Sequence, residues 1–123
     1  MGVQRIFRTE ENLSHSRGTE WNAYAAGTNA GATATKSAGG DGVRHKVCQI
    51  SGHTDKDSVV SIIDGITTIW EIAIDVDVDG KWFHATFPEP LQGTPNTALT
   101  AVIASSTTDC FISFGGFSDL QNT

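Results

Sequence analysis

Two Asp-Gly pairs, Asp64-Gly65 and Asp79-Gly80, punctuate the middle of a chain of 123 residues, each between runs rich in β-branched and aromatic residues. A two-residue type I′ turn needs positive φ at both central positions, which Asp-Gly tolerates. The spacing predicts two hairpins in series, 58–63 with 66–71 and 72–78 with 81–87. Tight closure sets Val59 opposite Trp70 in the first. In the second it sets Val76 opposite Phe83, Ile74 opposite Ala85 and Ile72 opposite Phe87. Side chains alternate along a strand, so Val59, Trp70, Ile72, Phe83 and Phe87 are expected on one dry face. Asp77 beside Trp82 and Asp75 beside His84 fall on the wet one. A slip of one residue would bury Asp75 and Asp77, which selects this register. Residues 66–78 are too many for one straight strand of a domain this size, so a bend or bulge is expected near Ala73–Asp75.

The remaining strands follow from alternation and from turn residues. Thr33–Ser37 alternates weakly, and Gly39–Gly42 is a turn. Val43–Ser51 is a strand with Cys48 and Ile50 on one face and Val47 on the other, and Gly52–Asp57 is a polar loop. Pro88 and Pro90 are expected to end the strand from Lys81, because proline cannot donate to a ladder. Ala98–Ala104 places Leu99, Ala101 and Ile103 together. Cys110, Ile112 and Phe114 face one way and Phe111 and Ser113 the other, until Gly115-Gly116 breaks the strand. Seven or eight short strands with regular turns and no helical pattern predict an all-β antiparallel sandwich. An immunoglobulin domain would place a Trp shortly after its first Cys. Trp70 lies 22 positions after Cys48, so the expected connectivity is jelly-roll-like.

Residues 1–31 differ from the rest. Polar residues there are mixed with Ile6, Phe7, Leu13, Trp21 and Tyr24, without a sustained period. Aromatic residues are rare in solvated tails. The segment is expected to be an irregular N-terminal arm that orders against a neighbour, followed by a sandwich domain over 32–123.

Charge narrows the partners. The net charge is −6, and it falls entirely on residues 44–123. An acidic domain repels phosphate backbones, which argues against nucleic acid. No run of about 18 apolar residues could span a membrane. Met1–Arg8 lacks the apolar stretch of a secretion signal, so maturation in the cytoplasm is expected. Cys48 and Cys110 read as two buried apolar thiols, with a disulfide between neighbouring strands as the alternative.

No constellation of catalytic or ligating residues stands out. Asp75-Val-Asp-Val-Asp-Gly80 resembles the start of a calcium loop, but the twelfth position is Thr86 where a bidentate Glu is needed. It reads as the acidic outer face of a hairpin. Ser51, His53 and Asp55 stand two apart in a short loop, which does not let a base reach both partners of a triad. His84 opposite Asp75 reads as a solvated cross-strand pair. His15, His45 and His53 have no ligand spacing, and Asn12-Leu-Ser14 matches a glycosylation acceptor by chance. No catalytic residue, metal or cofactor is expected. Trp21, Tyr24, Trp82 and Phe111 are expected outside the main core, where aromatics mark interfaces or stack on sugars.

From about Ala32 to Phe117 the chain resembles small β-rich structural proteins of tailed bacteriophages, among them capsid decoration or cement proteins and related head or tail domains. The residues that carry the resemblance are Gly42–Val47, Ser58–Gly65, Thr68–Glu71, Phe83–Phe87, Leu91–Gly93 and Asp109–Phe114. The resemblance implies a jelly-roll-like sandwich, often trimeric, bound to the major capsid protein on the virion surface after assembly in the host cytoplasm. It implies no catalytic residue, and it does not cover the first 31 residues. The expected function is therefore a non-enzymatic virion structural protein. Its interface candidates are Ile6, Phe7, Trp21, Tyr24, Trp82 and Phe111. The alternative is a carbohydrate- or receptor-binding module of a phage fibre or tail, with Trp82 open to solvent.

Overall fold

A computed structural model describes residues 19–28, 31–75, 81–104 and 109–120. Within them the chain forms eight strands. These are β1 (Thr19–Thr28), β2 (Ala32–Lys36), β3 (Val43–Thr54), β4 (Ser58–Asp64), β5 (Thr67–Ile74), β6 (Lys81–Gln92), β7 (Leu99–Ile103) and β8 (Asp109–Leu120). One sheet has the order β1-β8-β3-β6 and the other β2-β7-β4-β5. The pairs β4·β5, β3·β6, β2·β7 and β1·β8 are those of a long ribbon folded back at the β4–β5 turn. Rolling that ribbon places alternate pairs in opposite sheets, which is the jelly-roll sandwich.

The core lies between the sheets. Val60, Ile62, Leu99, Ala101 and Ile103 enter it from one side and Val47, Ile50, Ile112 and Phe114 from the other, all at most 1% exposed. The alternation expected for Leu99–Ile103 and for Cys110–Phe114 is present. Cys48 and Cys110 form no disulfide, Cys110 being buried and Cys48 half-buried.

The first hairpin forms, but with a different face inward. Asp64 pairs with Thr67, so the loop is Gly65-Ile66. Gly65 alone takes positive φ (65°), as at the first position of a type II′ turn. Further along, Ile63 pairs with Thr68 and Ile62 with Trp70, leaving Ile69 as an extra residue. That bulge turns β4 over relative to β5. Val60 and Ile62 therefore face the core opposite Ile72 and Trp70, and Val59 points outward, 38% exposed. The expected shared face of Val59, Trp70, Ile72, Phe83 and Phe87 is thus corrected at Val59. Ile72 has the inward parity but sits on an edge strand, 42% exposed.

The second hairpin does not form. β5 and β6 are edge strands of opposite sheets, and the chain crosses between the sheets after Ile74. Asp77, Asp79 and Gly80 lie outside the described residues. Trp70 and Phe87 still meet, but across the sandwich, with centroids 5.6 Å apart at 78°. His84 stands opposite Ser51 of β3 instead of Asp75.

Two breaks expected from the sequence are absorbed into long strands. β6 continues past Pro88 and Pro90 to Gln92. Its register with β3 jumps from Gln49↔Thr86 to Val47↔Leu91, so the Phe87–Pro90 stretch faces only Cys48 and no ladder donor is lost there. The unpaired Cys48 lets Val47 and Ile50 both point inward, correcting the expected split between them. β8 runs through Gly115 and Gly116. A Cβ on Gly116 would collide with the carbonyl of Lys46, so close backbone approach explains the glycine.

The expected irregular arm is in part a regular strand. Thr19–Thr28 pairs with β8 over its whole length, so the sandwich includes this strand as well as residues from Ala32 onward. Short Ala and Gly side chains and a single period-two stretch hide this strand from a sequence reading.

Candidate functional site

The β1-β8-β3-β6 sheet turns one face to the core and the other outward. The registers order the outward side chains into rows across all four strands. One row is Ala26, Phe111, His53 and Trp82, and the next is Tyr24, Ser113, Ser51 and His84. A third is Asn22, Gly115, Gln49 and Thr86. Inward neighbours of the opposite parity, Ala25, Ile112, Phe83 and Ala85, pack on the core.

The first row is a continuous aromatic contact. The His53 ring lies 5.0 Å from Trp82 and 6.1 Å from Phe111 by centroids. Trp82 and Phe111 meet edge to face at 5.3 Å and 70°. Tyr24 leans diagonally from the second row onto Phe111 at 6.1 Å. Such offset and tilted arrangements are the favoured geometries of ring pairs. The flanking members remain open: Tyr24 is 62% exposed and Trp82 is 70% exposed. These two stand on the outermost strands, β1 and β6, with the Phe111 ring against both, and Ser113 and Ser51 continue the second row from Tyr24 to His84.

The third row is polar and tied together. Asn22 Oδ1 accepts from Gln49 Nε2 (3.4 Å) and from Ser113 Oγ (3.3 Å). Gly115 sits between them, where a Cβ would press on Asn22 Oδ1 and Gln49 Nε2. None of these twelve positions holds Asp, Glu, Lys or Arg. Charge begins only beyond the rows. Asp55 Oδ2 accepts the backbone N–H of Asp109 (3.1 Å) past the aromatic end. At the other end Lys46 covers the Phe117 ring at 5.5 Å and pairs with Asp119 at 3.0 Å.

Three of the expected interface residues, Tyr24, Trp82 and Phe111, therefore converge on one surface. Trp21 does not join them. Its parity turns it inward, where it meets Phe114 edge to face at 5.1 Å and His45 at 5.8 Å. Ile6, Phe7 and the Asn12–Ser14 triplet lie outside the described residues. His53 completes the surface and was missed because Gly52–Asp57 reads as a loop, whereas β3 extends to Thr54. Its alternation with buried Gly52 and Thr54 was the available signal.

His45 has a different role. It is 2% exposed. Its Nε2 lies 2.7 Å from the Ser37 carbonyl, which can only accept, so Nε2 carries a proton. Nδ1 then accepts from the Ser118 hydroxyl at 2.6 Å in the neutral ring. It joins the segment after β2, β3 and β8 as a structural link.

Among the described residues no three His, Cys, Asp or Glu side chains gather as a metal site, and no helix is long and apolar enough to cross a membrane. Comparison with protein-family models, with curated proteins and with solved structures gives no match.

Proposed function

We propose that this chain is a virion structural protein: a capsid decoration or cement protein that binds across neighbouring major capsid subunits as a homotrimer and acts by contact, not by catalysis. The eight-stranded jelly roll supports the reading at the level of architecture, since viral capsid and lectin domains use it. The acidic balance of the sandwich argues for a protein partner over nucleic acid.

The observation that carries the reading is the β4–β5 flank. Ile66 at the hairpin tip is 99% exposed, Ile72 is open on the edge strand β5, and Val59 is open on the outer face of the neighbouring β4. No further strand pairs with β5 among the described residues. An unpaired, partly apolar edge is a surface that soluble proteins normally cover or charge. Covering it stabilises a complex by about 2.5 kcal/mol for each ~100 Å² of apolar area, and the gain repeats over every copy on a shell. Ile6 and Phe7 precede β1 and are the proposed second anchor.

The test is co-sedimentation of the purified protein with tailed-phage capsid shells that lack a decoration protein. The full chain is expected to pellet with shells. A variant carrying Ile66→Asp and Ile72→Ser, and a second one lacking residues 1–18, are each expected to bind less. Undiminished binding by both variants rejects the reading.

A further inference from the structure

We infer that the outer face of the β1-β8-β3-β6 sheet is a binding platform for a neutral carbohydrate. The inference goes beyond the shell-binding proposal and does not depend on it, because the platform and the β4–β5 flank belong to opposite sheets.

Three features select this ligand class. First, the platform has exposed π-surface. Trp82 and Tyr24 are largely open, and each is held by a ring behind it, His53 and Phe111 for Trp82 and Phe111 for Tyr24. Aromatic rings fixed in this way present an apolar surface with little rotamer entropy left to lose. The C–H faces of a pyranose ring match such a surface.

Second, the polar groups beside the rings are amides, hydroxyls and imidazoles. Ser51, Ser113, Asn22, Gln49, Thr86 and His84 offer both donors and acceptors. That matches a ligand whose hydroxyls also donate and accept.

Third, the three rows hold no Asp, Glu, Lys or Arg, in a chain of net charge −6. A phosphate, sulfate or carboxylate ligand would find no lysine or arginine there, and a basic protein no carboxylate. The fit is to an uncharged partner.

Shape agrees with this. Tyr24 and Trp82 both pack on the Phe111 ring, at 6.1 Å and 5.3 Å between centroids, and His53 backs Trp82 at 5.0 Å. The four rings form one contiguous aromatic patch across the sheet, bordered in the second row by Ser113, Ser51 and His84. Such a patch can stack on successive rings of a sugar chain.

The experiment is a glycan array containing neutral, sialylated and sulfated oligosaccharides, probed with the full-length protein, Trp82→Ala and Tyr24→Ala. Hits are measured by titration calorimetry at about 0.05 M and 0.5 M NaCl, a range over which screening removes most attraction between exposed charges. The expected result is binding to neutral glycans alone, unchanged by salt and weakened roughly tenfold or more by Trp82→Ala. Tyr24→Ala is expected to weaken it as well. Both residues are exposed, and a circular dichroism spectrum matching wild type keeps the comparison valid. No glycan bound, binding confined to acidic glycans, salt-sensitive binding, or full binding by both variants each overturns the inference. Loss of shell co-sedimentation by Trp82→Ala without any glycan signal would make this face a protein-docking surface, again overturning it while leaving the shell-binding proposal standing.

Discussion

His53 on β3 lies directly opposite Trp82 on β6, with their ring centroids 5.0 Å apart, although 28 residues of chain separate them. Because β3 also pairs with β8, the same imidazole meets Phe111 on its other side. A residue of the central strand thus joins the rings of both neighbours into one row.

Trp82 is supported by that row but is not part of the core. Trp82→Ala is expected to change folding stability by less than about 1 kcal/mol, as surface truncations do. Urea denaturation of the variant beside wild type checks this.

Adjacent valines on β4 test the bulge at Ile69. Val60 is fully buried and Val59 is 38% exposed. Val60→Ala removes buried apolar volume and leaves a cavity, for an expected loss of about 2 kcal/mol or more. Val59→Ala is expected to cost about 0.5 kcal/mol or less. A reversed order in denaturant midpoints would show that β4 is turned the other way.

Gly116 is held between β1 and β3, and a Cβ there meets the Lys46 carbonyl. Backbone cannot yield as a side-chain tip can. Gly116→Ala is expected to lower stability by about 3 kcal/mol or more. Gly40→Ala meets no atom and carries only the strain of its φ of 104°, for about 1–2 kcal/mol. Thermal melts of the two variants provide the comparison.

Removing His45 leaves the Ser118 hydroxyl and the Ser37 carbonyl without their partner. His45→Ala is expected to cost about 3 kcal/mol from two lost hydrogen bonds and the cavity beside Trp21. Denaturation at neutral pH measures it, and an unchanged midpoint would exclude the link.

The pairing of Thr19–Thr28 with β8 makes the length of a truncation decisive. Removing residues 1–18 is expected to keep the β-type circular dichroism spectrum and the melting temperature. Removing residues 1–24 takes away six residues of β1 and uncovers Phe114, which Trp21 packs against. The melting temperature is then expected to fall by several degrees, consistent with about 2 kcal/mol or more in a domain of this size.

Local patterns made the strands after β1 legible. Leu99, Ala101 and Ile103 alternate as a half-buried strand must, and so do Cys110, Ile112 and Phe114. Trp82 and Phe111 were legible as surface aromatics because each breaks the apolar parity of its strand, whereas Tyr24 was expected outside the core only as an aromatic of an irregular arm. Gly65 marked the first turn, since only a residue tolerant of positive φ fits there.

Other features could not be read because they depend on residues distant in sequence. Whether Val59 or Val60 faces inward is decided by one extra residue on β5, and the apolar run of Thr67–Ile74 accommodates either register. Asp79-Gly80 suggests a hairpin, yet β5 pairs with β4 and β6 with β3. Nested pairing around the β4–β5 turn satisfies every ladder, whereas a second hairpin would leave β3 without a partner on that side. Gly115 and Gly116 look like breakers until Lys46 and Asn22 are brought against them.

Alternation and turn chemistry, which act over a few residues, settled from the sequence alone that this chain is an antiparallel β-sandwich with outward-facing aromatics. The tertiary structure decided which sheet each strand joins, which way β4 faces, and that Tyr24, Phe111, His53 and Trp82 meet. The physical reason is that pairing energy between strands is nearly indifferent to the number of residues separating them, so only the closed set of ladders and the filling of a common core choose among the pairings that local patterns allow.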